Sequence, residues 1–120
     1  MDKISRNLLL DLLDGCKTIY PSEFFAYLGK TKGVIDHFVV VPIMFQNENS
    51  VSYYRHNKPV DFSIVGTIHS HPSGHSIPSS ADLNSFFGDG DVHIIAAYPF
   101  NLQTVSVYDS KGNKISLELV

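Results

Sequence analysis

Histidines 69 and 71 stand two residues apart at the end of an apolar run, in the stretch GTIHSHPSGHSIPSSADLNSF (residues 66–86). In a β-strand, residues i and i+2 share a face, so a strand ending there presents both imidazoles to one point in space. Imidazole nitrogen suits a borderline-soft ion such as zinc, which binds it at about 2.0 Å and takes four neighbours. Asp82, beyond the intervening residues 72–81, offers a carboxylate as a third ligand. Two histidines, one aspartate and a water form an open zinc site of the catalytic kind. The same residues also have a purely structural reading. Ser79-Ser80-Ala81-Asp82 matches a capping box, with Ser79 at N-cap and Asp82 at N3. Pro72, Gly74 and Pro78 are ordinary turn residues. Spacing alone leaves both readings open. For Ser79 they are compatible, because a helix start fixes the direction of the hydroxyl.

The elements that must position these residues follow from periodicity. Ile4, Leu8, Leu9, Leu12, Leu13 and Cys16 recur at helical spacing and predict a helix over 4–18. Gly15 leaves its end open, and Pro21 terminates it. SEFFAYLG (22–29) reads as a short buried strand and VIDHFVVVP (34–42) as a β-branched one. SVSYYRHN (50–57) reads as a short edge strand, and FSIVGTIH (62–69) as the buried strand that delivers the histidines. SSADLNSFF (79–87) predicts a short helix closed by the GDGD turn. VHIIAAYP (92–99), QTVSVYD (103–109) and KISLELV (114–120) are closing strands, the last two joined by a tight SKGN turn. One long helix, a shorter one and many strands, with no linker, predict a single α/β domain over 1–120 with a mixed sheet flanked by helices.

Bulk properties narrow the function. The 120 residues are 43% hydrophobic and 18% charged, which suits a compact core. A net charge of −3 argues against nucleic acid as a partner. The apolar runs are too short to span a bilayer, and the N-terminus lacks a signal-peptide pattern, so no membrane association and a cytoplasmic location are expected. Cys16 is the single cysteine; it has no disulfide partner and reads as a packed helix residue. His75 reads as a solvated loop residue, His93 as packed or hydrogen-bonded, and His37 and His56 as surface residues. Tyr53, Tyr54 and Arg55 form an aromatic and cationic cluster, read either as sheet-edge packing or as a docking surface for substrate.

His69, His71, seven residues, Ser79, two residues and Asp82 resemble the H-x-H-x7-S-x2-D motif of the JAMM (MPN+) metalloproteases. Those enzymes carry a glutamate on the first strand after the first helix. Glu23 in PSEFFAYLG holds that place, with Ala26 where a glycine is common. The other glutamates, Glu48 and Glu118, fall in a polar loop and a closing strand. The resemblance implies the α/β MPN fold, cytidine-deaminase-like, with a mixed curved β-sheet flanked by helices. It implies one zinc ion per chain on His69, His71 and Asp82. Glu23 would act as general base and then general acid, and Ser79 would donate to the oxyanion. It further implies a minimal archaeal or bacterial member that cleaves peptide or isopeptide bonds after the terminal glycine of a ubiquitin-like small modifier or sulfur-carrier protein. That protein and its conjugates would be the partners; a homodimer is one of the oligomeric states left open. Three alternatives compete: a RadC-like protein, which shares the H-x-H-P start; a non-catalytic MPN scaffold, which usually lacks a ligand where here none is missing; and a zinc deaminase. The last needs H-x-E and P-C-x-x-C, which this chain does not have.

Overall fold

The structure, a computed structural model, describes residues 1–40, 63–80, 83, 88 and 90–120. The chain opens with a short strand, β1 (Asp2–Ile4), and then helix α1 (Arg6–Ile19). Ser5 caps the helix, its hydroxyl accepting the Leu8 N–H at 3.3 Å. Leu8, Leu9, Leu12, Leu13 and Cys16 form the buried stripe that the spacing predicted. Ile4 is a correction. It was expected on that helix face, but it lies in β1, fully buried and paired with Ile35. A hydrophobic residue just before an N-cap can serve a neighbouring strand as well as the helix. Gly15 does not end the helix; it makes room for the Phe24 ring, which a Cβ there would meet at 3.2 Å.

Strands β2 (Phe25–Thr31) and β3 (Val34–Val39) form a hairpin, followed in the described residues by β4 (Ile64–His71) and β5 (Val92–Ala97). A 3-10 turn (Leu102–Thr104) leads to β6 (Val105–Tyr108), β7 (Lys114–Ile115) and β8 (Leu117–Leu119). The mixed sheet runs β7-β6-β5-β4-β2-β3-β1-β8, with parallel pairing in β4–β5, β1–β3 and β1–β8. KISLELV was expected as one strand and is two. Ser116 alone separates β7 from β8, yet they occupy opposite ends of the strand order. The sheet therefore curls until its two edges meet, and the last seven residues serve both. Of the expected helix 79–87, Ser79, Ser80 and Leu83 are described; Ser80 and Leu83 are helical, and Leu83 N–H donates to Ser79 O at 3.1 Å. The expected edge strand 50–57 lies outside the described residues. No helix among the described residues is long and apolar enough to cross a membrane.

Alternation divides the central strands between two faces. Ala26, Leu28, Ile68, Ile94 and Ala96 pack with the α1 stripe in the main core. Phe25, Tyr27, Ile95 and Tyr108 form a second cluster on the opposite face, with Val39 and Ile64 against it. Ala26 is fully buried on the helix side, so its methyl is absorbed into the main core. Two glycines allow close approach at the foot of β4. A Cβ on Gly66 would fall 1.6 Å from Val92 O. Gly90 has φ +132°, and its Cβ would fall 2.1 Å from Val65 O. Asp91 N–H donates to Val65 O at 2.9 Å and closes this contact.

Candidate metal centre

The register of three strands sets the site. Phe25 pairs with His69 across the antiparallel β2–β4 ladder, and His69 pairs with Ile95 across the parallel β4–β5 ladder. Residues opposite one another share a face, so His69 and His71 project from the face away from α1. His69 is 1% exposed and His71 is half-buried. Their Nε2 atoms lie 3.2 Å apart. Two nitrogens that each bind zinc at 2.0–2.1 Å with a tetrahedral angle between them would be about 3.3–3.4 Å apart. The observed separation is thus close to that of two ligands on one ion. His71 Nδ1–H donates to the backbone carbonyl of His75 at 3.0 Å. That bond fixes the ring's direction and tautomer and leaves the Nε2 lone pair aimed at the shared point. The fit for zinc is good at both histidines.

The loop that supplies this carbonyl is held at three places. Tyr98 N–H, just beyond β5, donates to His71 O at 3.1 Å and to Ser73 O at 3.2 Å. Tyr108 hydroxyl donates to Ser76 O at 2.8 Å, and the Ser76 and Ser106 hydroxyls are hydrogen-bonded at 2.7 Å. His75 is itself exposed, as expected, and contributes through its main chain.

Glu23 lies between the end of α1 and the start of β2 and is exposed. Its neighbour Phe24 is fastened twice to Ser70. Phe24 N–H donates to Ser70 Oγ at 2.7 Å, and Ser70 N–H donates to Phe24 O at 3.0 Å. The Phe25–His69 pairing and these Phe24–Ser70 bonds place the segment that carries Glu23 at the same end of the sheet as the histidines. Ser70 is a residue that sequence reasoning missed. It lies between the histidines on the opposite face, fully buried, and ties Glu23's segment to theirs. Burial pushes the Cys16 thiol up to about 11, the nearby Ser70 hydroxyl opposing it, which agrees with Cys16 as a packed helix residue.

Ser79 is exposed at the start of the helical residues. Asp82, Tyr53, Tyr54, Arg55, Glu48 and His56 lie outside the described residues. No group of three or more His, Cys, Asp or Glu side chains gathers among the described residues. His93 is fully buried, as the packed reading expected, with Nδ1 2.8 Å from Thr67 Oγ1 and Nε2 2.8 Å from Gly90 O. His37 is a surface residue, as expected, with its side chain 40% exposed. Its ring lies on Gly29, where a Cβ would meet Nε2 at 2.1 Å, and it contacts Ser63 Oγ at 3.2 Å and Asp36 at 2.7 Å. The bond from His37 holds the Asp36 carboxyl below its ordinary range.

Comparison with known proteins agrees with this geometry. A probable metalloprotease of Haloferax volcanii is 34% identical over 87 residues, which is 72% of this chain and 53% of that protein. The chain thus matches about half the length of that relative. A solved structure described as JAMM, a metalloprotease-like zinc site in the proteasome and signalosome, superposes with TM-score 0.81 at 34% identity, covering 100% of this chain and 98% of the other. A JAB1/MPN domain protein from Archaeoglobus fulgidus gives TM-score 0.80 at 36% identity, covering 98% of each chain. A protein from Desulfitobacterium hafniense shares the fold, with TM-score 0.65 at 18% identity over 100% of this chain and 93% of its own. The family described as prokaryotic homologs of the JAB domain matches residues 5–109. The fold is the α/β MPN fold, and the chain belongs to this prokaryotic JAB family of JAMM-type, metalloprotease-like proteins.

Proposed function

We propose that this protein is a zinc-dependent peptidase that cleaves peptide or isopeptide bonds after the C-terminal glycine of a ubiquitin-like small modifier or sulfur-carrier protein. The observation that carries the reading is the convergence of His69 and His71, with Nε2 atoms 3.2 Å apart, in the stretch that resembles the JAMM motif and within the matched residues 5–109. His69, His71 and Asp82 would hold the metal. Zinc, when bound, supplies Lewis acidity toward the scissile carbonyl and lowers the pKa of water toward about 7.

The chain's own residues do the rest. Glu23 takes a proton from the attacking water and passes it to the leaving amine, a task for a carboxylate placed beside the metal ligands. The Phe24–Ser70 bonds tie the neighbouring residue to the histidine strand. Ser79 donates a hydrogen bond to the developing oxyanion; one such donor is worth about 10²–10³ in rate. Small residues at the modifier's tail let the scissile carbonyl pass between Glu23 and Ser79. Tyr53, Tyr54 and Arg55 are proposed to receive the tail as an added strand.

The test is cleavage of a modifier–reporter fusion by zinc-loaded protein, with Glu23→Gln as control and a Gly→Val fusion beside it. Wild type should cut the native fusion; Glu23→Gln should keep zinc and lose most turnover; the Gly→Val fusion should resist. Equal cleavage of both fusions, or full activity in Glu23→Gln, would overturn the mechanism.

A further inference from the structure

The outermost links to the candidate site come from β6, a strand that carries none of the proposed ligands or catalytic groups. Ser106 and Tyr108 are two apart in β6 and share the face from which the histidines project. Both are buried, at 8% and 7% exposure. Tyr108 places its ring in the cluster with Phe25, Tyr27 and Ile95, and its hydroxyl donates to Ser76 O at 2.8 Å. Ser106 Oγ meets Ser76 Oγ at 2.7 Å. Ser76 is therefore held by its side chain and by its carbonyl, which restrains its Cα and the peptide that follows it.

The peptide on the N-terminal side carries His75 O, the acceptor of His71 Nδ1–H at 3.0 Å. Among the described residues, this carbonyl lies in a stretch with few packed side chains. Ser73, Gly74, His75 and Ile77 are all exposed, and Gly74 has no atom within 4 Å of the place a Cβ would occupy. A loop with so few packed side chains keeps its conformational freedom unless hydrogen bonds remove it. Among the described residues, Tyr98 N–H ties its first residues, through His71 O and Ser73 O, and the two β6 hydroxyls tie Ser76, next to the His75 carbonyl.

We propose that Tyr108 and Ser106 are positioning residues for the metal. They hold Ser76, so that the His75 carbonyl aims the His71 imidazole and sets the site's zinc affinity. The inference rests on the zinc reading given above and extends it to residues that touch neither metal nor substrate. Outer partners that orient a ligating histidine are typically worth 10–100-fold in affinity. Here the effect passes through one more peptide, which favours the lower end of that range.

The test is zinc affinity, measured by competition with a chromophoric chelator at fixed pH and without any substrate. Tyr108→Phe keeps the ring and removes the donor; it should weaken zinc binding about 10-fold. Ser106→Ala should weaken it by a similar or smaller factor. Ser76→Ala and Ser106→Ala remove the same bond, so the double variant should lose no more than the larger single loss. Thermal unfolding of the metal-free variants supplies the contrast. If Tyr108→Phe and Ser106→Ala bind zinc within twofold of wild type and only their melting temperatures fall, the hydroxyls are structural tethers and the proposal is overturned. If Tyr108→Phe does not fold, Ser106→Ala and the Ser76 cycle decide the matter. A wild-type protein that takes up no zinc overturns the metal reading itself, an outcome distinct from equal affinities in the variants.

Discussion

Replacing Ser70 by alanine separates the positioning of the base from the binding of the metal. Ser70 Oγ accepts the Phe24 N–H at 2.7 Å, and the side chain is fully buried. Its removal leaves a backbone donor unsatisfied where water has poor access, which costs about 1–3 kcal/mol. For a domain of this size that corresponds to a melting temperature lower by about 4–12 °C. The backbone bond from Ser70 N–H to Phe24 O at 3.0 Å survives the substitution. The β4–β5 ladder on the other side of the histidines is untouched, from Gly66–Val92 to His71–Ala97. Zinc affinity should therefore remain within about twofold. Glu23, next in sequence to the loosened Phe24, should lose definition. Misplacement of a catalytic group by about 1 Å can cost up to 10² in rate, so partial loosening should lower kcat about 10-fold with KM little changed. The assays are thermal unfolding, chelator competition and steady-state cleavage of the modifier fusion. Zinc loss in parallel with turnover, or unchanged stability and kcat, would refute the view that Ser70 couples Glu23's segment to the histidine strand.

Other consequences follow from single contacts. Gly66→Ala sets a methyl 1.6 Å from Val92 O and must push β5 away from β4; a loss of about 3–5 kcal/mol in denaturant unfolding is expected. Cys16 should resist alkylation at pH 8 in the native protein, since a thiol pushed up to about 11 is ionised only to about 10⁻³ there, and should react once unfolded. Ser79→Ala should lower stability by about 0.5–2 kcal/mol as a lost cap. It should also lower kcat by about 10²–10³ with little change in KM; full activity below the melting range would leave only the cap.

The elements that position the site were legible where the signal was periodic. The α1 stripe from Leu8 to Cys16, the buried run that ends in His69, and the SKGN turn all appear as patterning and turn chemistry dictate. Two short strands were not legible. In β1, Ile4 continues the helical spacing of α1, and only pairing with Ile35 reveals it as a strand residue. In the C-terminal segment, alternation across Ile115, Leu117 and Leu119 reads as one strand. The switch between opposite sheet edges is a tertiary event that leaves no local mark. The His-x-His spacing gave the convergence of the imidazoles, because a period of two is enough to predict a shared face. The supporting contacts were hidden for the same reason as the strand order. Ser70, Ser76, Ser106 and Tyr108 are ordinary residue types, and their partners lie 30 to 46 positions away in the chain.

Zinc stoichiometry is the most direct test of the central claim. Purified wild-type protein, reconstituted with zinc and dialysed, should carry about one zinc per chain by elemental analysis. Glu23→Gln should match it, because a general base is not a ligand, and His71→Ala should fall to a small fraction of it. A full-length protein that remains metal-free after reconstitution, or a His71→Ala variant that still holds one zinc per chain, would contradict the account.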